Sequence, residues 1–276
     1  MAPMEMIAKY SADALRYWAA STGFGKDSII SEEKIAMGAK LVTKLWNVAR
    51  FSQRFLENYR PPTDLPAFTP TDRWLLSRCQ QLISHVTEHF RNYDYAAAKG
   101  ETESFFWRDL ADNYLEMAKE RLYTEGSEMR EGARYTLYTV FLALLKLFAP
   151  FLPYVTEEIY LALFAHNEGL ASIHIARWPL PDEAFVDDIA DAAGETLIEL
   201  ATAVRRYKSE SNISVGTQLQ RLQLATAEPA TAKMLQAAKV DIMSVTRARQ
   251  VEVSQSLDPG LENIKAEGAI TIALSR

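Results

Sequence analysis

The chain has 276 residues, 48% of them apolar and 24% charged, with a formal net charge of −6. That balance supports a proper core and excludes a disordered, collagenous or disulfide-stapled chain. One cysteine, Cys79, excludes an internal disulfide and a Cys-rich zinc site. Its place on an apolar helical stripe reads as a small core residue. The apolar run Val140 to Leu145 is closed by Lys146, far short of a bilayer span. No signal-peptide pattern opens the sequence, so the expectation is a cytoplasmic chain without a membrane partner.

Helical periodicity governs the first 167 residues. Pro3 suits a first helical position, and a short helix is expected to about Lys9. A capping Asp, Ser or Asn is expected before Pro3, and Ala2 is a poor cap. Met1-Ala2 therefore reads as foreign to a natural chain that continues upstream. Ser11 and Asp13 can cap a second helix through about Trp18, ended by Gly23 and Gly25. Ser31, with Glu32 and Glu33 in the first turn, opens a long helix to about Tyr59. Its apolar stripe is Ile35, Val42, Leu45, Ala49 and Leu56. Pro61, Pro62, Pro66 and Pro70 impose a loop. Thr71 or Asp72 then caps a helix that turns Leu75, Cys79, Leu82, Val86 and Phe90 inward. Further helices are expected over about Tyr95–Tyr123, Met129–Phe148 and Tyr154–Ala165. Long helices with short links make an antiparallel bundle.

After Gly169 the pattern changes. Ser172–Ile175 reads as a short β-like run, and Trp178-Pro179-Leu180-Pro181 as a loop. Residues 183–211 read as an amphipathic helix, acidic at its start and basic at its end. Leu219–Ala225, Ala248–Val253 and Ala269–Leu274 alternate as strands, with a helix near Ala230–Ala238. The fold class expected is mostly α, an antiparallel helix bundle with a small C-terminal α+β unit.

No catalytic constellation stands out. His85 and His89 have the spacing of paired metal ligands but lack an HExxH context or a third ligand, so a solvated helix face is the reading. The overall charge is uninformative about nucleic acid, because the charge is unevenly placed. Residues 182–199 hold acids and no base, whereas residues 38–60 hold Lys40, Lys44, Arg50, Arg54 and Arg60 against Glu57 alone. Lys40, Lys44, Asn47, Arg50 and Arg54 share one side of their helix, with Phe51 close by. An ordinary solvated face explains the charges. A cationic face with an adjacent ring is also what single-stranded bases require.

Several blocks carry a resemblance. Ile7-Ala8-Lys9-Tyr10-Ser11-Ala12-Asp13-Ala14-Leu15-Arg16-Tyr17-Trp18 resembles the segment after the KMSKS loop in the class I aminoacyl-tRNA synthetases for valine, isoleucine and leucine. Lys44-Leu45-Trp46-Asn47-Val48-Ala49-Arg50-Phe51 is similar to the valine version of the next landmark. Tyr114 to Lys119 with Arg121-Leu122-Tyr123, Ala149 to Glu158, and Ile175 to Pro179 follow in family order. The tail around Val204–Ile213 is similar more loosely. The usual Tyr-Gly-Ala-Asp of the family reads Tyr10-Ser11-Ala12-Asp13 here. The common Asn-Phe-x-Asn reads Lys40-Leu41-Val42-Thr43.

The resemblance implies a stem-contact segment at 1–30, an anticodon-binding bundle at 31–180 and a small α+β domain at 181–276. It implies tRNA(Val) as partner and, upstream in the same polypeptide, a catalytic domain that ligates valine to tRNA using ATP. No cofactor and no catalytic residue are expected in this piece. The same region of an isoleucine or leucine enzyme, or a stand-alone helical module for protein partners, stand as alternatives. Valine anticodons end in A-C, so an A-C reader needs a stacking surface and an acceptor for the cytosine amino group. Phe51 is offered as the platform with Asn47 one turn away, Leu115 as an apolar wall and Glu116 as the acceptor. The competing structural roles are packing of Phe51 between helices and pairing of Glu116 with Lys119 or Arg121.

Overall fold

A computed structural model describes every residue except Met1, Phe24, Ser28, 266–269 and Arg276. Met1 of the expected foreign start and Ala269 of the last expected strand thus lie outside the described residues. Contacts divide the chain into two units. One comprises residues 1–63, 79–107 and 134–186, the other 64–78, 108–133 and 187–276. Among the described residues no helix is long and apolar enough to cross a membrane.

The first unit opens with α1 (Pro3–Tyr10) and α2 (Ala12–Ala20). Ala2 gives α1 no side-chain cap. The Ser11 hydroxyl caps α2 by accepting from the Ala14 N–H at 3.2 Å. Asp13 departs from its expected role. Buried on α2, it accepts from the Tyr154 and Val155 N–H groups at 3.3 and 2.8 Å. It therefore caps α8, whose first turn follows Pro153. Burial raises its pKa against the pull of those two hydrogen bonds.

α3 (Glu32–Leu56) starts on Ser31, whose hydroxyl accepts from Lys34, and ends three residues short of Tyr59. It packs on α2 at Gly38, where an added Cβ would lie 2.8 Å from the Tyr17 ring. α4 (Pro70–Arg91) begins a little before the expected start. Thr69 N–H donates to Asp72 Oδ2 at 3.0 Å, and Asp72 N–H donates to Thr69 Oγ1 at 3.4 Å. That reciprocal pair is a capping box with Thr69 as the cap.

α5 (Tyr95–Ser104) continues into a π-helical segment (Phe105–Tyr114) and α6 (Leu115–Tyr123), matching the single expected helix in extent. α7 (Glu128–Phe148), α8 (Pro153–Leu163) and the single turn α9 (Ala165–Glu168) follow. The expected β-like run is instead a 3-10 turn, Ile173–Ile175, capped by the Ser172 hydroxyl. α10 (Asp188–Glu210) is capped by Asp187.

In the second unit β1 (Leu219–Ala225) and β2 (Ala248–Ser254) pair in parallel. Between them run α11 (Pro229–Ala237) and α12 (Lys239–Thr246). β3 (Glu262–Ile264) and β4 (Thr271–Ser275) complete a mixed sheet in the order β2-β1-β4-β3. Leu222 and Leu224 of the central strand face Leu274 and Ile272 of β4, and all four are buried. The chain is mostly α with a small α+β part at its C-terminal end, as expected.

Candidate nucleic-acid interface

Within the first unit, α3 carries six of the expected site residues. Its apolar positions, Leu41, Leu45, Val48, Ala49, Phe55 and Leu56, are buried. That fixes the rotation of the helix and turns Lys40, Asn47, Arg50 and Arg54 to solvent. Lys44 is half-buried, its ammonium 5.1 Å from the centre of the Trp107 ring. Phe51 is also half-buried and meets Phe55 edge-on, with centroids 5.0 Å apart. An open groove of about 520 Å³ is lined by Asn47, Arg50, Phe51, Gln53, Arg54 and Glu57. Two guanidinium groups and a ring thus border one depression, with a single carboxylate at its end. Such a groove offers cations to phosphates and a ring to a base.

The remaining two expected residues open α6 in the second unit. Leu115 is buried, at 6% exposure, and acts as backing inside its own unit. The Glu116 carboxylate is 41% exposed. It accepts from Lys119 Nζ at 3.3 Å and lies 3.6 Å from Arg247 Nη2. The Glu116 backbone carbonyl accepts from the Ser244 hydroxyl at 2.6 Å. Of the two partners weighed for Glu116, Lys119 is present, and Arg247 takes the place of Arg121.

Arg121 belongs elsewhere in this unit. It is 2% exposed, and its guanidinium binds Asp72 at 2.9 and 3.0 Å and Asp241 at 2.6 and 3.1 Å. It also donates to the Met129 carbonyl and the Thr71 hydroxyl, and Tyr114 donates to Asp72 at 2.7 Å. Burial works against the arginine's charge, but the two carboxylates outweigh it and raise its pKa. This network ties α6 to the start of α4 and to α12, and sequence reasoning passed over it. The spacing of Tyr114 and Arg121 within one block was the available signal. Arg247 and Ser244 were passed over as well. Their signal was the basic pair Arg247 and Arg249 at the entry of an expected strand.

His85 and His89 both face Glu101, at 3.6 and 3.2 Å. Cys79 is buried, which pushes its thiol pKa up to about 12. A thiol held so firmly protonated is a core group, not a nucleophile.

Comparison with known proteins adds three findings. Residues 72–223 match the family model described as the anticodon-binding domain of tRNA ligase. The matched stretch contains Leu115 and Glu116 and begins after α3. Valine--tRNA ligase of Thermococcus kodakarensis is 35% identical over 95% of the chain, and that of Methanopyrus kandleri 38% over 95%. That of Anaplasma marginale is 41% identical over 78% of the chain. The chain spans 29% of the length of the first two and 26% of the third. The LeuRS–tRNA–LeuAMS ternary complex of Agrobacterium radiobacter aligns with a TM-score of 0.53 at 16% identity. That alignment covers 68% of this chain and 22% of that one, a likeness of fold alone.

Proposed function

Because the chain belongs to the anticodon-binding domain family of tRNA ligases, we propose that it is the tRNA-reading part of a valine--tRNA ligase. The observation that carries the valine reading is the match to valine--tRNA ligases of archaea and bacteria across nearly the whole chain. In this reading the chain binds tRNA(Val), and an upstream catalytic domain of the same polypeptide joins valine to it with ATP. Segment 1–30 contacts the stem, 31–180 reads the anticodon, and 181–276 forms a small α+β domain. The chain itself works by binding.

The residues proposed to carry the binding divide by chemistry. Lys40, Lys44, Arg50 and Arg54 meet phosphates. Phe51 stacks on a base, with Asn47 one turn away to hydrogen-bond its edge. Glu116, backed by Leu115, accepts from the N4 amino group of cytosine. Uracil presents a carbonyl oxygen at that place and is refused. The test is filter binding of this chain to tRNAs for valine, isoleucine and leucine at one salt concentration. Preference for the valine tRNA by about tenfold, or about 1.4 kcal/mol, is expected. Equal retention of all three overturns the valine reading, and no retention of any at low salt overturns the RNA-binding one.

A further inference from the structure

α12 closes on Arg247, which has φ 60° and ψ 28°. Its carbonyl accepts from the Leu219 N–H at 3.0 Å as the chain enters β2. This left-handed position usually falls to glycine or asparagine, because a Cβ there crowds the next carbonyl. A long side chain kept at such a turn points to work for that side chain.

The work lies on Glu116. Arg247 Nη2 approaches one carboxylate oxygen at 3.6 Å, and Lys119 donates to the other at 3.3 Å. From the same helix, Ser244 donates to the Glu116 carbonyl. α12 therefore holds both the backbone and the carboxylate of this residue. The pair is 42% and 41% exposed, and ion pairs so open to water contribute little to stability. Stability does not explain an arginine at a left-handed turn. Among the described residues one cation approaches each carboxylate oxygen, and an oxygen of this kind has a second lone pair to offer a donor from outside. Arg247 also lines a cavity of about 490 Å³ with Met243, Ser244 and Arg249, so it borders open space and not packed core.

We propose that Arg247 is a positioning residue for RNA reading. With Lys119, its guanidinium fixes the Glu116 carboxylate so that a free lone pair faces the amino group of an incoming cytosine. The proposal rests on the reading of Glu116 given above and assigns a task to the C-terminal α+β part.

The experiment uses the full 276-residue chain and two hairpin RNAs that differ only in C or U at the last anticodon position. Fluorescence anisotropy gives the C-over-U affinity ratio for wild type, Glu116→Gln, Arg247→Gly, Arg247→Asn and Arg247→Lys. Glycine and asparagine suit the left-handed turn, so both variants are expected to melt at or above wild type. Their C-over-U ratio is nevertheless expected to fall about three- to tenfold, with Arg247→Lys keeping part of it. If Arg247→Gly and Arg247→Asn keep the ratio while Glu116→Gln loses it, Arg247 only closes its helix and the proposal falls alone. If both lose affinity for the two hairpins equally, with a shallower salt slope, Arg247 is a phosphate contact and the proposal is overturned. If Glu116→Gln keeps the ratio, the Glu116 reading fails and takes this proposal with it.

Discussion

Ser11 has φ 115° and ψ 161°, a backbone region essentially reserved for glycine. Its hydroxyl also caps α2, so Ser11→Gly sets two effects against each other. Losing the cap to glycine costs a few tenths of a kcal/mol, while releasing the strain returns roughly 1–3 kcal/mol. Strain is the larger, and Ser11→Gly is expected to stabilise the chain by about 1 kcal/mol in urea unfolding. A lower midpoint would mean that the cap outweighs the strain. The departure from the related Tyr-Gly-Ala-Asp was visible in the sequence, but its cost was not, since a residue type does not state its own dihedral. Asp109 is hidden in a similar way. It is 3% exposed, and among the described residues its Oδ1 accepts no hydrogen bond. Burial raises its pKa to about 6 against the pull of Arg78 and Arg108. The folded state thus holds this proton more tightly than the unfolded state. The resulting stability is complete below about pH 4 and is lost as pH rises through about 6. Asp109→Asn removes that dependence. Between pH 4 and 7 wild type is expected to lose roughly 2–3 kcal/mol relative to Asp109→Asn in parallel urea titrations. Parallel pH profiles would place the proton elsewhere.

At the scale of elements, one buried arginine holds the start of α4, α6, the Met129 carbonyl of α7 and α12 together. All of its N–H directions are used, and two carboxylates depend on it. Arg121→Met would leave Asp72 and Asp241 buried and uncompensated, at a cost of about 3–5 kcal/mol. Thermal melting and urea unfolding should both register that loss, and a cost below about 1 kcal/mol would mean that the carboxylates find other partners. Such a network explains what was hard to read in the sequence. α12 buries Asp241, Ser244 and Thr246 beside a single apolar residue, Ile242, so its buried face shows no apolar repeat to betray it. β3 is three residues long with Glu262 and Asn263 exposed, too short and polar to alternate visibly. The two isoleucines of Ile173–Ile175 favour a strand, but the Ser172 cap and burial of Ile173 select a 3-10 turn. The long amphipathic helices were legible because apolar residues recur at their period over many turns. Elements held by polar groups were not.

Across the whole molecule, a net charge of −6 coexists with a cationic face on α3, and only the local arrangement bears on a polyanion. That face was legible because a solvated stripe opposite an apolar one follows from periodicity alone. The groove beside Phe51 was not, since a helical period gives a face and not the side-chain conformations that open a depression on it. The surroundings of Glu116 depended on Ser244 and Arg247, distant in sequence and brought in by the α+β part. Charge and stacking can be separated by salt. Counterion release from single-stranded regions gives a log–log slope of about −0.7 for each phosphate contact. Arg50→Ala with Arg54→Ala should therefore shallow the slope by about 1.4 units for the valine tRNA, along with the loss of affinity. Phe51→Ala removes a ring and no charge. It should weaken binding by about 1–3 kcal/mol and leave the slope as it was. Titrations of the three proteins between about 50 and 200 mM salt distinguish these effects. If the arginine pair leaves both affinity and slope unchanged, the α3 stripe is a solvated face. If a folded Phe51→Ala binds as wild type does, the ring packs between helices and stacks on nothing.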